Sequence, residues 1–135
     1  MVNYEELFMK HLDAQGVKYS HIGESGLKIT FTGRNMRSVS VLALFDQEGK
    51  PIVHLRCVDI CNIRMNEPFG LRVCNEANRS YHWVKFYLDE DGDIISGLDA
   101  YLEESTCGPV CLELVKKLAK TTDEAYRIFT AEIWE

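Results

Sequence analysis

Apolar and polar residues alternate with a period of two along the first half of the chain, the pattern of β-strands with one buried face. Residues 27–32 follow this pattern most regularly. Residues 39–45 are apolar on both faces, which predicts a strand in the middle of the sheet. After a polar turn at residues 46–50, residues 52–58 return as the second strand of a hairpin. Residues 18–22 form a weaker strand candidate at the sheet edge.

Apolar residues spaced three and four apart predict a first helix over about residues 4–15. Asn3 is a favourable N-cap, and Glu6 three residues later completes the pattern of a capping box. Gly16 follows the last turn, where glycine often ends a helix in the left-handed conformation. The sequence therefore marks both ends of this helix.

Two further helices are predicted in the second half of the chain. One covers about residues 67–79, with Asn66 as its N-cap. Its apolar stripe consists of Leu71, Cys74 and Ala77. The last helix begins with Gly108 as N-cap and carries a wide apolar face, which needs the sheet or a second copy to cover it. Thr121 and Glu124 form a second capping-box pattern, which leaves open whether this helix breaks near Thr121.

A strand–turn–strand pattern lies between these two helices. Residues 82–88 predict a strongly apolar strand, residues 89–92 a hairpin turn and residues 93–102 the returning strand. The complete order is α-β-β-β-(β)-α-β-β-α. It predicts an α+β fold with three helices and a mainly antiparallel sheet of five to six strands. We expect residues 1–135 to form a single domain.

The charge and composition of the chain exclude several classes of function. The chain has 135 residues, 46% of them hydrophobic, and a net charge of −6. An acidic protein is repelled by the phosphates that dominate nucleic-acid affinity and by anionic membranes, so we expect neither as a partner. The first residues lack the basic and apolar regions of a signal peptide, and no apolar run reaches the length of a membrane span. We therefore expect a cytoplasmic protein with reduced cysteines.

Residues 83–93, which read WVKFYLDEDGD, give the chain a resemblance to the YbjN family. Residues 118–119 and 123–126 of the closing helix add to it. The family is described as regulating bacterial sensory transduction, and its fold is similar to that of type III secretion chaperones, small acidic dimers that hold partner segments. The resemblance implies a chaperone-like fold and no established catalytic residues. The CGPVC segment at residues 107–111, and Arg127 in place of an expected proline, depart from the family pattern.

The five cysteines suggest a different function. Two pairs of cysteines, each four residues apart, have the ligand types of a tetrahedral zinc site. These residues are Cys57, Cys61, Cys107 and Cys111. Their places on a predicted strand and a predicted helix stripe suit core packing better, because buried free cysteine behaves as a small hydrophobic residue. We therefore expect no cofactor, with a metal- or redox-responsive regulator as the alternative function.

Two other chemical sites have weaker support in the sequence. Cys111 is predicted in the first turn of a helix, where the helix dipole lowers a thiol pKa, with His54 or His82 as a candidate base. No flanking motif supports that role. The acidic turn beginning at Asp89 lacks the glycine and the glutamate of an EF-hand loop, and the residue pattern there is typical of a hairpin turn.

Trp83, Lys85 and Tyr87 are predicted on the wetter face of their strand. Two aromatic residues on such a face indicate a surface that is covered by a second copy or by a partner. The sequence therefore predicts a protein-binding module without catalytic residues. We expect it to form a homodimer, through the middle helix or an exposed sheet edge, and to hold a segment of a partner protein.

Overall fold

The computed structural model describes residues 1–64 and 66–131. It contains three helices and six strands. In chain order these are α1 (Tyr4–Ala14), β1 (Ser20–Ile22), β2 (Gly26–Thr32), β3 (Ser38–Phe45), β4 (Ile52–Asn62), α2 (Glu67–Ser80), β5 (Lys85–Leu88), β6 (Asp93–Tyr101) and α3 (Cys107–Ala131). The predicted order of elements, including the weak edge strand β1, is confirmed.

The strands form one antiparallel sheet in the order β1-β2-β3-β4-β6-β5. The long helix α3 contacts β3, β4 and β6, and α1 packs against α3. Apolar side chains from one face of the sheet and from these helices form one core, whose largest fully buried members include Phe8, Leu55 and Phe129. The fold is therefore α+β, as predicted.

The caps of α1 form as the sequence predicts. Asn3 is the N-cap, and its Oδ1 accepts a hydrogen bond from the backbone N–H of Glu6 at 3.0 Å. Gly16 follows the helix with a φ of +69°, a conformation that costs glycine little. Phe8 and Leu12 are completely buried on the inner face of the helix.

Strand β4 is longer than predicted, because it continues to Asn62 across an irregularity in its pairing with β6. The register shifts between Cys57 and Cys61, and Asp59 within this stretch has a φ of +59°. From Cys57 to Cys61, β4 has two residues more than the segment of β6 that it pairs with. Extra residues in one strand bend it locally and interrupt the alternation of its side chains. The alternating pattern of residues 52–58 ends at this point, which explains the short prediction.

The structure corrects the predicted start of the last helix and answers the open question of a break near Thr121. The helix begins at Cys107, one residue before the predicted N-cap Gly108, and it continues without a break past Thr121 to Ala131. Thr121 is buried within the helix, so it caps no second helix. Gly108 lies in the first turn because it packs against α1: a Cβ there would come within 2.5 Å of His11 Cβ.

The apolar stripe of α2 is also corrected. Cys74 and Ala77 are buried as predicted, but Leu71 is 54% exposed and Gly70 takes the inner position. A Cβ at Gly70 would lie 2.6 Å from Leu88 Cδ1, so the absence of a side chain lets α2 approach β5 closely. Asn66 caps the helix as predicted and accepts a hydrogen bond from Phe69 N at 3.3 Å.

Within residues 1–64 and 66–131, no helix combines the length and the apolar character that crossing a membrane requires.

Candidate protein-binding surface

One face of the sheet is left uncovered by the helices, and we call it the open face. Its central rows contain Leu44, His54 and Asp99, and then Leu42, Arg56 and Gly97. Odd-numbered residues of β3, and of β4 as far as Cys57, point into the core, so their even-numbered neighbours point outward. An antiparallel sheet commonly has one solvated face, but such a face is usually polar. This open face carries both apolar and charged side chains.

A cluster of three charged or titratable side chains occupies the middle of the open face. His54 Nδ1 and Arg56 Nη1 each lie 2.8 Å from Asp99 Oδ1. Arg56 Nη1 also donates to the backbone oxygens of Leu55 and Leu98. Partial burial raises the pKa of Asp99, but the hydrogen bonds from Arg56 and His54 outweigh it and hold this pKa below its usual value. The cluster fixes the orientation of its side chains.

Gly97 gives Arg56 the space to lie across β6. A Cβ at this position would lie 2.7 Å from both Cδ and Nη1 of Arg56 and 2.8 Å from Leu55 O. Glycine weakens the interior of a strand, and it often marks a place where another group approaches closely. Here the approaching group is the guanidinium of the charged cluster.

Exposed apolar side chains surround this cluster. They are Leu44 (36% exposed), Val58 (38%), Tyr87 (37%) and Tyr101 (84%). Tyr101 lies opposite Ile52 on the neighbouring strand, and both residues line a shallow pocket of about 300 Å³ with His54 and Asp99. Apolar groups that flank a fixed polar cluster have the character of a protein-binding surface.

The structure separates Trp83 from the other two residues predicted to bind a partner. Lys85 and Tyr87 share the open face, and Lys85 Nζ lies 5.7 Å from the centre of the Tyr87 ring. Trp83 precedes β5, which begins three residues later than predicted, because the chain turns there with a φ of +72° at Trp83. Its side chain is 81% exposed and lines a pocket of about 330 Å³ with Leu98 and Leu114.

The four cysteines of the possible zinc site lie in two separate regions. Cys57 points into the core beside Ser96 and Thr122, whose hydroxyls hydrogen-bond to each other at 2.7 Å. Cys107 and Cys111 lie at the start of α3, about 22 Å and about 16 Å along the helix from Thr122 at 1.5 Å per residue. Cys61 lies beyond the irregularity in β4. The structure therefore does not bring these four thiols together.

The thiol pKa values follow burial and local hydrogen bonds. Burial raises the pKa of Cys57 to about 11, although the hydroxyls of Ser96 and Thr122 oppose it. The interaction between the thiols of Cys107 and Cys111 lowers the pKa of Cys107 and, together with burial, raises the pKa of Cys111. The Cys107 thiol donates a hydrogen bond to Tyr4 O at 3.5 Å. A reactive Cys111, the weakly supported possibility, would need a lowered pKa at that thiol, and the pKa of Cys111 is instead raised.

The acidic turn between β5 and β6 brings three carboxylates together. Oxygens of Asp89, Asp91 and Asp93 lie within 4.8 Å of one another. Asp89 Oδ1 accepts hydrogen bonds from the backbone N–H groups of the other two at 2.9 Å, and Gly92 has a φ of +81°. These contacts are those of a hairpin turn that is stabilised by an aspartate at its start.

Sequence reasoning missed two features of the surface. The first is the exposure of Tyr101, which the sequence places only within a strand. The second is the contact between His54 and Asp99, two residues that are 45 positions apart in the chain. The alternation of His54 and Arg56 along β4 was the signal for a polar row on the wet face. Nothing in the sequence indicates that the pairing of β4 with β6 brings Asp99 beside them.

The chain belongs to the YbjN family. The model of this family, described as "Putative bacterial sensory transduction regulator", matches residues 6–106. The match includes every strand of the sheet and ends just before α3, so the whole of that helix lies outside it. A comparison with curated proteins found no match to this chain.

Proposed function

We propose that this member of the YbjN family is a non-enzymatic regulatory module that works by binding proteins. In this proposal it forms a homodimer in the cytoplasm and, like a chaperone, holds a segment of a partner protein. The observation that supports the proposal most is the open face, where exposed apolar residues surround the charged cluster of His54, Arg56 and Asp99. The description of the family as a regulator agrees with it.

The open face is the surface that a second copy is proposed to cover. Most soluble oligomers are symmetric dimers, in which the same patch of each subunit meets its counterpart. Tyr101 and Leu44 would provide apolar contacts, and the charged cluster between them would remain paired internally by Asp99. An internally paired cluster needs no charge from the partner, so a self-complementary contact leaves none of its charges unpaired.

The experiment compares the subunit number of three proteins by native mass spectrometry and light scattering. We expect a dimer for the wild type and a monomer for Tyr101→Glu, because the substitution places a charge in the interface. Leu71→Glu is the matched control, since Leu71 is 54% exposed on α2, outside the open face. We expect it to remain a dimer. If the wild type is a monomer, the proposed dimer is contradicted. If only Leu71→Glu is a monomer, the interface lies on α2 and not on the open face.

The same three proteins test partner binding in cells. Each tagged protein is crosslinked and purified, and the amounts of co-purifying proteins are compared quantitatively. A partner of the dimer is expected with the wild type and with Leu71→Glu but not with Tyr101→Glu. The mass spectrum also reports any bound metal, and one zinc ion per chain would favour the cysteine-based alternative.

A further inference from the structure

A groove of about 610 Å³ lies between the β2–β3 loop and the outer side of α3. The charged residues that line it are Arg34, Lys116, Lys120, Arg127, Asp123 and Glu124. We call it the basic groove, because four cations outnumber two carboxylates in a chain whose net charge is −6. The groove concentrates positive charge on a protein that is acidic as a whole.

The cations of the basic groove are available to a ligand. Lys116, Lys120 and Arg127 are exposed, and they form no ion pair with any residue in the described part of the chain. Arg34 is exposed on the opposite side of the groove. Exposed, unpaired cations gathered in a concave surface attract anionic ligands more strongly than isolated ones, because their fields add.

Asp123 fixes the loop that carries Arg34. Its carboxylate accepts hydrogen bonds from three successive backbone N–H groups, those of Arg34 (3.0 Å), Asn35 (3.0 Å) and Met36 (2.8 Å). The side chain of Asn35 also donates to the backbone oxygen of Asp123 at 3.0 Å. The carboxylate oxygens are therefore used within the protein. The two sides of the basic groove are held together before any ligand binds, which lowers the cost of binding.

The length of the basic groove favours an extended ligand. Lys116 and Arg127 are separated by about 16 Å along α3, at 1.5 Å per residue. An extended peptide of about five residues covers this distance at about 3.3 Å per residue. Phe31, Val39 and Ala119 add an apolar part to the lining, which suits the non-acidic side chains of such a peptide. A compact phosphate group would meet only some of the cations.

We propose that the basic groove binds an extended, acidic segment of a partner protein. This inference rests on the proposed function and adds the chemistry of the segment that the module holds. Acidic side chains at alternate positions are about 6.6 Å apart on one side of an extended chain. This repeat is close to the separation of about 6 Å between Lys116 and Lys120, one helical turn apart.

The test measures peptide binding by fluorescence anisotropy at low salt. The probe is a short fluorescein-labelled peptide of alternating Glu and Val, and its neutral counterpart contains Gln in place of Glu. The test variant combines Lys116→Gln and Lys120→Gln. The matched control combines Lys10→Gln and Lys117→Gln, which removes the same charge from exposed positions that do not line the basic groove.

We expect the acidic peptide to bind the wild type and the control equally, and the test variant roughly five- to twenty-fold more weakly, as the loss of two ion pairs implies. Added salt should weaken the wild type more than the test variant. Equal binding by all three proteins, or no preference for the acidic peptide, overturns the inference. Tighter binding of a single-stranded oligonucleotide through the same lysines also overturns it, in favour of nucleic acid.

Failure of this inference can be distinguished from failure of the proposed function. The subunit number and the captured partners depend on Tyr101 in the proposed function, while peptide binding depends on Lys116 and Lys120. A dimer that captures a partner but ignores the acidic peptide contradicts only the inference about the basic groove. A monomer that binds the peptide contradicts only the proposed dimer.

Discussion

Asn78 satisfies both backbone hydrogen-bonding groups of Phe86. Its Nδ2 donates to Phe86 O at 3.0 Å, and its Oδ1 accepts from Phe86 N at 2.8 Å. Phe86 lies in β5, the last strand at one edge of the sheet, so its outward-facing groups would otherwise be open to pairing with another chain. A side chain of α2 thus occupies the place of a neighbouring strand, which is one way to protect a sheet edge.

Asn78→Ala should therefore destabilise the protein and expose the edge of β5. Losing both partners of this part-buried backbone pair is expected to lower the free energy of unfolding by about 1–2 kcal/mol. Chemical unfolding measures this change, and light scattering measures any new association through the freed edge. Asn75→Ala is the control, since Asn75 is exposed on the same helix and the substitution changes helix propensity equally. Equal stability of the two variants would show that Asn78 does not protect the edge.

The hydrogen bonds that Asp123 accepts should make the stability of the protein depend on pH. Burial raises its pKa, but the hydrogen bonds from the N–H groups of Met36, Arg34 and Asn35 outweigh this and lower it below its ordinary value of 3.8. The folded protein thus favours the ionised form. Asp123 contributes stability that is fully present above that value and is lost as the pH falls towards the lower, folded-state pKa.

The measurement compares the wild type with Asp123→Asn by urea unfolding across pH. We expect the wild type to be more stable by roughly 2–3 kcal/mol at neutral pH, because the amide cannot replace a charged acceptor of three N–H groups. The difference in unfolding free energy between the wild type and Asp123→Asn should shrink as the pH falls below 4, because Asp123 then becomes protonated. Glu113→Gln, an exposed change on the same helix, should show no such trend. A difference that stays constant down to pH 2 contradicts this account.

The sequence predicts the elements of this fold well where local signals act alone. Asn3, Glu6 and Gly16 mark the two ends of α1, because caps depend only on nearby residues. Prediction from the sequence fails where a contact between distant residues determines whether a helix ends. The pattern of Thr121 and Glu124 resembles a capping box, yet α3 continues, because Thr121 is packed into the core and Asp123 is engaged by a loop almost ninety positions away in the chain.

The surface sites illustrate the same limit. Lys116, Lys120 and Arg127 follow the spacing of one helical stripe, so their grouping on α3 was open to prediction from the sequence. The fourth cation, Arg34, joins them only through the contact of its loop with Asp123. Likewise, nothing local to Trp83 predicts its left-handed backbone, which shortens β5 and separates it from Lys85 and Tyr87.

The cysteines are expected to differ in their reaction with a disulfide reagent such as DTNB. Cys61 is partly exposed, whereas Cys57, Cys74, Cys107 and Cys111 are each at least nine-tenths buried. Burial also raises the pKa of Cys57 and of Cys74 to about 11, which lowers their thiolate fraction at pH 8. We expect one fast thiol in the native protein and five after unfolding.

Cys61→Ser should remove the fast phase, and Cys74→Ala should leave it in place. The pKa of Cys107 is lowered by its interaction with Cys111, so any opening at the start of α3 would expose a reactive thiol. A fast phase that survives Cys61→Ser and disappears with Cys107→Ala would contradict the assignment. It would favour the alternative of a redox-responsive regulator.

Gly108 and His11 provide a test of how α1 packs on α3. A Cβ at Gly108 would lie 2.7 Å from His11 Cγ and 2.5 Å from His11 Cβ, and the Cβ cannot move without the helix. Gly108→Ala should therefore cost about 1–3 kcal/mol of stability, even though alanine favours a helix by about 1 kcal/mol over glycine.

His11→Gly removes the clashing atoms and should by itself cost about 1 kcal/mol or more, from lower helix propensity and lost packing. In that background we expect Gly108→Ala to be neutral or stabilising, because only the gain in helix propensity remains. Chemical unfolding of the two single variants and the double variant gives the coupling between the sites. If the two effects simply add, the helices are not in contact at Gly108, and glycine is present there for its role in starting α3.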